Sequence, residues 1–231
     1  MTNKLLLFDI DGTLLLSRGI PRTAFLKVLK NHFPHISDKT SVKFSGMTDP
    51  QIISQLLQAN GDHTFVSNQL LQQLFREFAV ELSANLHINN PPDILPGVIK
   101  LLDILQRIPN SYLGLVTGNI IAGARIKLLA AGLYSYFPLG AFGSDHKDRN
   151  LLPPIAVKRA QQYYDTLFDK NDIWIIGDSI YDVRCAKANN LRSIALTTGF
   201  TRQNDLNSEN PDFLLENLTD TEQILSIIGF N

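Results

Sequence analysis

Hydrophobic and polar positions divide the chain into three stretches with different periodicity. Near the start, residues 5–8 form an apolar run that ends at Asp9. A run of this length, closed soon afterwards by glycine, is typical of a parallel strand buried on both faces. From about Ser17 to Asn89 apolar residues recur every three or four positions, which predicts helices with no strand between them. After Pro96 the pattern alternates between helical and strand-like segments.

The alternating stretch predicts a parallel α/β sheet. Its predicted elements are, in chain order, helix 98–106, strand 113–116, helix 121–131, helix 155–162, strand 173–176, helix 181–188 and strand 193–196. The polar segment 203–211 is predicted to be a loop.

The helical stretch is interpreted as an insertion into this α/β body. The segment 89–92, Asn-Asn-Pro-Pro, cannot continue a helix, and together with residues 17–19 it marks two crossings of the chain between bodies. We therefore expect an α/β core built from residues 1–16 and 90–231 and an all-helical domain built from residues 17–89.

Chemistry is expected where the strands end, because ligands of open α/β sheets bind beyond the carboxyl ends of the strands. Asp9 and Asp11 follow the first strand, and the alternation of a strand sends both side chains to one side. Two carboxylates this close repel each other unless a cation or a shared proton compensates. The pair therefore predicts a functional site.

Two further strand ends carry suitable groups. Strand 113–116 ends in a hydroxyl, a glycine and an amide, Thr117-Gly118-Asn119, which can hold phosphate oxygens through side-chain and backbone donors. Asp178 and Ser179 follow strand 173–176, and Asp182 comes four residues after Asp178 on the next helix. Each motif alone is also explained as a turn or a helix cap. Their occurrence at three strand ends in chain order favours one shared site.

These motifs resemble those of the haloacid dehalogenase superfamily, in its phosphatase branch. Residues 9–13, Asp-Ile-Asp-Gly-Thr, match the nucleophile motif of that superfamily, residues 117–119 resemble its second motif, and residues 177–182 resemble its acidic fourth motif. The resemblance covers essentially the whole chain. It implies a Rossmann-like parallel sheet with an inserted helical cap.

The resemblance also implies a role for each motif residue. Asp9 would attack a phosphoryl group and become a transient aspartyl-phosphate. Asp11 would donate a proton to the leaving oxygen and later take one from the hydrolytic water. Mg²⁺ would bind Asp9, the backbone carbonyl of Asp11 and Asp178. The implied supporting residues are Thr117, Gly118 and Asn119 at the phosphoryl oxygens and Ser179 and Asp182 behind the metal ligands.

The third motif of the superfamily, a cation that is usually a lysine followed by proline, has no direct counterpart. The corresponding stretch 145–154 contains no Lys-Pro pair. Arg149 is the first candidate for this cation because of its position before helix 155–162, and Lys147 is the second. The alternative is an exposed charged loop without a catalytic role.

The inserted helices are expected to select the substrate by closing over the strand ends. The segment 43–50 resembles a cap loop of phosphoglycolate phosphatase-like relatives, and its candidate binding residues are Gly46, Thr48 and Asp49. Thr48 or Asp49 would alternatively cap the following helix. Arg18 and Arg22 are candidates for contact with a substrate carboxylate, the alternative being solvated side chains.

The hypothesis is a Mg²⁺-dependent phosphomonoester hydrolase of a small soluble metabolite, similar to phosphoglycolate phosphatase. A phosphohexomutase like β-phosphoglucomutase is the first alternative, and Asp11 argues against a dehalogenase. A module that binds without turnover would be expected to lack an acid at position 9, 11 or 178. A phosphonatase would need a cap lysine for a Schiff base, and the available lysines are Lys27, Lys30, Lys39 and Lys43.

Composition limits the partners and the cellular compartment that we expect for this chain. A net charge of −1 does not favour nucleic acid or an anionic membrane as partner. Cys185 is the single cysteine, which excludes an intramolecular disulfide and favours a reducing compartment. We expect a cytoplasmic monomer or homodimer whose partner is a small phosphorylated metabolite.

Overall fold

The computed structural model describes residues 2–37, 41–63 and 66–230. The strands of this described part are β1 (Lys4–Phe8), β2 (Leu15–Leu16), β3 (Asp93–Ile94), β4 (Ser111–Thr117), β5 (Gly140–Phe142), β6 (Ile173–Gly177), β7 (Arg192–Leu196) and β8 (Phe213–Leu215). Its α-helices are α1 (Ile20–His32), α2 (Asp49–Ala59), α3 (Asn68–Asn85), α4 (Val98–Arg107), α5 (Ile121–Ala130), α6 (Leu152–Tyr164), α7 (Ile180–Ala188), α8 (Gln203–Ser208) and α9 (Thr221–Ile228).

Six of the strands form one parallel sheet in the order β5-β4-β1-β6-β7-β8. The strand β1 lies between β4 and β6, and its last residue Phe8 is paired with Leu115 on one side and Ile176 on the other. The carboxyl ends of β4, β1 and β6 are therefore neighbours at one edge of the sheet. The predicted α/β class with a parallel sheet is confirmed.

The apolar run of β1 is buried because helices cover both faces of the sheet. Leu6 and Phe8 pack into one apolar cluster with residues of α4, α5 and α9. Leu5 and Leu7 point the other way and pack against residues of α6 and α7. Alternate residues of the strand thus serve opposite layers, as the strand geometry requires.

The helices α1, α2 and α3 pack around an apolar cluster of their own, which also takes in Ile120 and Ala130 from the core side. The two crossings of the chain run side by side, because β2 pairs antiparallel with β3. Arg18 strengthens this connection: its guanidinium donates to Asn90 Oδ1 over 3.2 Å and to the carbonyl of Pro91.

Segment 203–211 was predicted to be a loop, and this was wrong for its first part, which forms the short helix α8. The helix has one buried apolar residue, Leu206, which packs against Val183 and Ala195. A single apolar position shows no periodicity, so the pattern gave no helical signal. The strands β5 and β8 have three residues each, too few to show a period, and they were not predicted. Helix α9 was also missed, although its buried Ile224 and Ile228 recur at helical spacing.

Helix α6 begins at Leu152, three residues before the predicted start. Prolines occupy its first turn, where the missing N–H costs no hydrogen bond. Among residues 2–37, 41–63 and 66–230, no helix has both the length and the apolar character needed to cross a membrane.

Truncation of the central strand tests this packing. Leu7 has 0% exposure, and Leu7→Ala should lower the free energy of unfolding by about 2–5 kcal/mol because it leaves a cavity between sheet and helices. Val80 on α3 is 70% exposed, and Val80→Ala should change stability by less than about 0.5 kcal/mol. Urea denaturation measures both variants, and equal losses would contradict this assignment of the core.

Candidate active site

Three buried carboxylates meet at the edge where β1 and β6 end. Asp9 directly follows β1, Asp178 directly follows β6, and Asp182 lies in the first turn of α7. Each of them places one oxygen within 4.8 Å of the others. Such a group of acids is costly to bury unless cations compensate its charge.

Arg149 supplies one compensating cation. It lies in a short 3-10 turn just before α6 and is only 3% exposed. Its Nη2 donates to Asp182 Oδ1 at 2.5 Å. The same Nη2 is 3.2 Å from Asp9 Oδ1, and this second contact is an ion pair without good hydrogen-bond geometry. Burial works against the charged form, but Asp182 and Asp9 raise the pKa of Arg149 and keep it protonated.

The single positive charge of Arg149 does not neutralise all three carboxylates of the cluster. Burial raises the pKa of Asp9 to about 6, although Arg149 pulls in the opposite direction. Burial, followed by repulsion from Asp182 and Asp9, raises the pKa of Asp178 well above its ordinary value. Asp178 Oδ2 has no hydrogen-bond partner among the described residues, and Oδ1 accepts only a long bond of 3.4 Å from Thr13.

The oxygens that are free to hold a cation belong to Asp9 and Asp178. Asp182 is already engaged, because its Oδ2 accepts from the backbone N–H and the hydroxyl of Ser179 at 3.0 and 2.6 Å. These two residues form the capping box of α7. Carboxylate oxygens are the ligands that Mg²⁺ prefers, so the donor set fits a hard divalent cation.

Gly12 allows the turn after β1 to approach Asp178 closely. Its φ is +83°, in the left-handed region, and a Cβ atom there would lie 2.5 Å from the Asp178 carboxylate. A side chain at this position would therefore displace the acid or break the turn.

The residues at the carboxyl end of β4 form a hydrogen-bonded group beside the acids. Thr117 is fully buried, and its Oγ1 accepts from the backbone N–H of Asn119 over 3.3 Å and from Asn119 Nδ2 over 2.8 Å. Because this oxygen accepts twice, the hydroxyl proton of Thr117 remains to be donated towards Asp9.

Asp11 lies at the rim of the cluster, with 39% of its side chain exposed. Its Oδ2 accepts from Asn119 Nδ2 at 2.8 Å and from Lys127 Nζ at 2.5 Å, and its Oδ1 accepts from Ser17 at 3.3 Å. The structure thus brings the predicted Asp11 and Asn119 together.

The sequence motifs did not reveal Lys127. It lies on α5, and a lysine buried in an apolar helix needs a charged partner. Its position in the sequence could have indicated it: Lys127 lies about two turns into α5, and α5 begins at the site. Because side chains of a helix lean towards its N-terminus, the ammonium group of Lys127 can reach back to the site.

The loop before α2 docks directly onto the candidate site. The Gly46 carbonyl accepts from Arg149 Nη1 at 2.9 Å, and the N–H of Asp49 donates to the Gly118 carbonyl at 2.8 Å. Asp49 Oδ2 in turn accepts from the Ile120 N–H at 2.7 Å. A Cβ atom at residue 118 would lie 2.1 Å from the Met47 carbonyl, so glycine is needed for this approach.

Other predicted residues have different positions. Thr48 caps α2, and its hydroxyl donates to the Lys147 carbonyl at 2.6 Å. The Lys147 side chain is exposed, so Arg149 is the one of the two candidate cations that reaches the acids. Arg22 stacks on Phe44 at 4.6 Å and donates to a backbone carbonyl.

A cavity of about 1370 Å³ lies between the helical insertion and the sheet edge. Its core side includes Asp9, Asp11, Thr117, Gly118, Asn119, Lys127, Arg149 and Ser179, and its other side includes Arg18, Arg22, Lys43, Phe44, Gly46 and Asp49. The site therefore opens into a space large enough for a small organic phosphate, with cations on both sides.

Comparison with known proteins places these motifs in a family. The model of the haloacid dehalogenase-like hydrolases matches residues 6–196. The chain is 24% identical to "Probable phosphatase IndB" of Dickeya dadantii, over 94% of this chain and 90% of that protein. It is 26% identical to a phosphoglycolate phosphatase of Pseudomonas syringae, over 93% of this chain and 77% of that protein.

A solved structure shares the fold. The crystal structure of β-phosphoglucomutase from Clostridium difficile superposes with a TM-score of 0.74 at 16% identity, over 99% of this chain and 97% of that one. The similarity extends over nearly the whole of both chains, so it includes the helical insertion as well as the sheet.

The buried Asp49 carboxylate gives a pH-dependent stability. Burial raises the pKa of Asp49 to about 6 from its ordinary 3.8. Between these values the unfolded chain loses this proton before the folded chain does, so ionisation of Asp49 lowers stability as pH rises. Asp49→Asn keeps an acceptor for the Ile120 N–H but does not titrate.

We therefore expect the stability of Asp49→Asn relative to wild type to increase by up to about 3 kcal/mol from pH 4 to pH 7. Urea denaturation at a series of pH values measures this difference. A difference that is constant across the range would contradict the burial of an ionised Asp49.

Proposed function

The chain belongs to the haloacid dehalogenase-like hydrolase family and is a phosphatase of that family, and from this premise we propose that it is a Mg²⁺-dependent hydrolase of a small phosphomonoester similar to phosphoglycolate. The observation that carries the proposal is the buried Asp9, which faces Arg149 and Asp178 at the end of the central strand. A carboxylate in this position, open to a cavity, is suited to attack a phosphoryl group.

In the proposed reaction, Asp9 attacks the phosphorus atom and the ester oxygen leaves with a proton from Asp11. Water then attacks the aspartyl-phosphate and gives a proton back to Asp11. This hydrolysis releases inorganic phosphate and restores the carboxylate of Asp9. Thr117 would donate its hydroxyl proton to a phosphoryl oxygen, and the backbone N–H of Gly118 would donate to the same group. The N–H of Asn119, also expected there, donates to Thr117 Oγ1 in this structure. Arg149 offsets the repulsion between Asp9 and the incoming anion.

Members of this family generally use a divalent metal, and we propose Mg²⁺ for this chain. Asp9, Asp178 and the backbone carbonyl of Asp11 would hold it, while Ser179 fixes Asp182, which pairs with Arg149 behind these ligands. A bound Mg²⁺ supplies positive charge that polarises the phosphoryl oxygens. The unpartnered oxygen of Asp178 supports this assignment.

The domain division is part of the proposal. Residues 17–89 would act as a cap over the catalytic core of residues 1–16 and 90–231, and the hydrogen bonds of Gly46 and Asp49 to the core support this role. The cap presents cationic side chains to the cavity, which suits a substrate that carries a carboxylate besides its phosphate. We propose that the enzyme works in the cytoplasm as a monomer or homodimer, on a soluble metabolite and not on nucleic acid or a membrane.

Two other reactions use the same core. A phosphohexomutase would transfer the phosphoryl group of Asp9 to a sugar instead of water, and the solved mutase shares the fold. A phosphonatase would need a cap lysine in the cavity. Lys43 lines the cavity, Lys27 pairs with Glu81 at 2.7 Å, and Lys39 lies outside the described residues.

Loss of the nucleophile tests the mechanism. Asp9→Asn should lower kcat/KM by at least about 1000-fold, because an amide cannot form the acyl-phosphate. Phosphate release from a panel of small esters, including phosphoglycolate and sugar phosphates, is measured with Mg²⁺ and with EDTA. Undiminished release by this variant would exclude Asp9 as nucleophile.

The matched control for this experiment is Asp165→Asn. Asp165 is exposed at the end of α6 and has φ +48°, a conformation that asparagine adopts readily. The activity of this variant should equal that of wild type.

The same panel distinguishes the alternative reactions. Isomerised sugar phosphate in place of free phosphate would favour the mutase, and turnover of a phosphonate alone would favour the phosphonatase.

Metal binding is tested without any measurement of activity. At a Mg²⁺ concentration about 100 times Kd, wild-type protein should gain about 2.7 kcal/mol, which raises Tm by about 5–10 °C. Asp178→Asn removes one proposed ligand and should lose most of this shift, whereas Asp165→Asn should keep it. Thermal melts at constant ionic strength measure the shift, and an equal shift in wild type and Asp178→Asn would contradict the metal assignment.

A further inference from the structure

Lys127 is the second buried cation of the site and lies on a different element from Arg149. Its exposure is 2%, and its ammonium group contacts two acceptors, Asp11 Oδ2 at 2.5 Å and Asn119 Oδ1 at 2.6 Å. A lysine is rarely buried to this extent unless its charge is paired. Its position away from Asp9 indicates a role that differs from the neutralisation provided by Arg149.

The three residues form a closed hydrogen-bonded triangle. Asn119 accepts from Lys127 through Oδ1 and donates through Nδ2 to Asp11 Oδ2 at 2.8 Å. This arrangement fixes which end of the amide faces each partner, since the ammonium group only donates and the carboxylate only accepts. The same Nδ2 also donates to Thr117 Oγ1 at 2.8 Å.

The two carboxylate oxygens of Asp11 have different hydrogen-bond partners. Oδ2 has two donors at short distance, one of them charged, whereas the only contact of Oδ1 among the described residues is the long one of 3.3 Å with Ser17. Charge-assisted hydrogen bonds are the stronger ones, so Oδ2 is held in place. Oδ1 is then the oxygen that can exchange a proton with a substrate in the cavity.

We propose that Lys127 is a positioning residue that fixes Asp11 for general acid–base catalysis, a role that rests on the proposed phosphatase function. The proton on Asp11 Oδ1 passes to the ester oxygen as the bond between phosphorus and that oxygen breaks. In the second step Oδ1 takes a proton from the attacking water. Lys127 takes no part in these proton transfers and acts only through the orientation of Asp11 and Asn119.

This role predicts a dependence on the leaving group. Alkoxides leave poorly without a proton, whereas the leaving groups of p-nitrophenyl phosphate and acetyl phosphate depart without one. Lys127→Met should therefore lower kcat/KM by about 100-fold for an alkyl phosphate and by less than about 10-fold for these two activated phosphates. A purely structural role would lower both by the same factor.

Two further variants make the experiment decisive. In an Asp11→Asn background, Lys127→Met should lower kcat/KM for the alkyl ester almost no further, because the carboxylate that Lys127 positions is already absent. The double variant removes both charges of the pair and so avoids an uncompensated buried charge. Lys158→Met, at an exposed position of α6, is the matched control and should leave both kcat/KM values unchanged.

Equal losses for both ester types, or fully additive losses in the double variant, would overturn the positioning role while leaving the phosphatase function intact. Wild-type protein that releases no phosphate from any ester would overturn the proposed function and this proposal with it. A selective loss on alkyl esters that disappears in the Asp11→Asn background would establish the role.

Discussion

The buried guanidinium of Arg149 is the interaction on which the rest of the site depends. It contacts Asp182 and Asp9 in the same low-dielectric region, where either carboxylate alone would be costly. Since Asp182 is also fixed by the capping box of α7, the arginine is held from one side by a rigid helix start. The position of Asp9, the proposed nucleophile, is thus set by an ion pair between elements that are distant in the sequence.

The same arginine couples the core to the helical insertion. Its other nitrogen donates to the Gly46 carbonyl, and the neighbouring Asp49 exchanges hydrogen bonds with the turn after β4. The loop of the insertion therefore contacts the groups that are proposed to bind the phosphoryl oxygens. A loop docked in this way helps to bury Asp9 and Arg149, and their burial strengthens the electrostatic interaction between them.

The sequence predicted most of this arrangement because parallel strands bring their carboxyl ends to one edge. Asp9, Thr117 and Asp178 each follow a strand that the apolar pattern identified, so their proximity followed from the topology. Elements of three to six residues, such as β5, β8 and α8, carry too few apolar positions to show a period. Lys127 could not be paired with Asp11 from the pattern, because their contact joins residues 116 positions apart.

The two acids of the first motif differ in how their charge is balanced. Asp11 has its own cation in Lys127, so that pair is formally neutral. In the described part of the chain, Arg149 is the one cation paired within the cluster of Asp9, Asp178 and Asp182, so three carboxylates and one guanidinium leave a formal charge of −2. A divalent cation would balance that charge, since burial and the neighbouring acids raise the pKa values of Asp9 and Asp178. The proposed nucleophile therefore lies in the half of the site with excess negative charge, and the proposed proton donor lies in the half whose charge Lys127 balances.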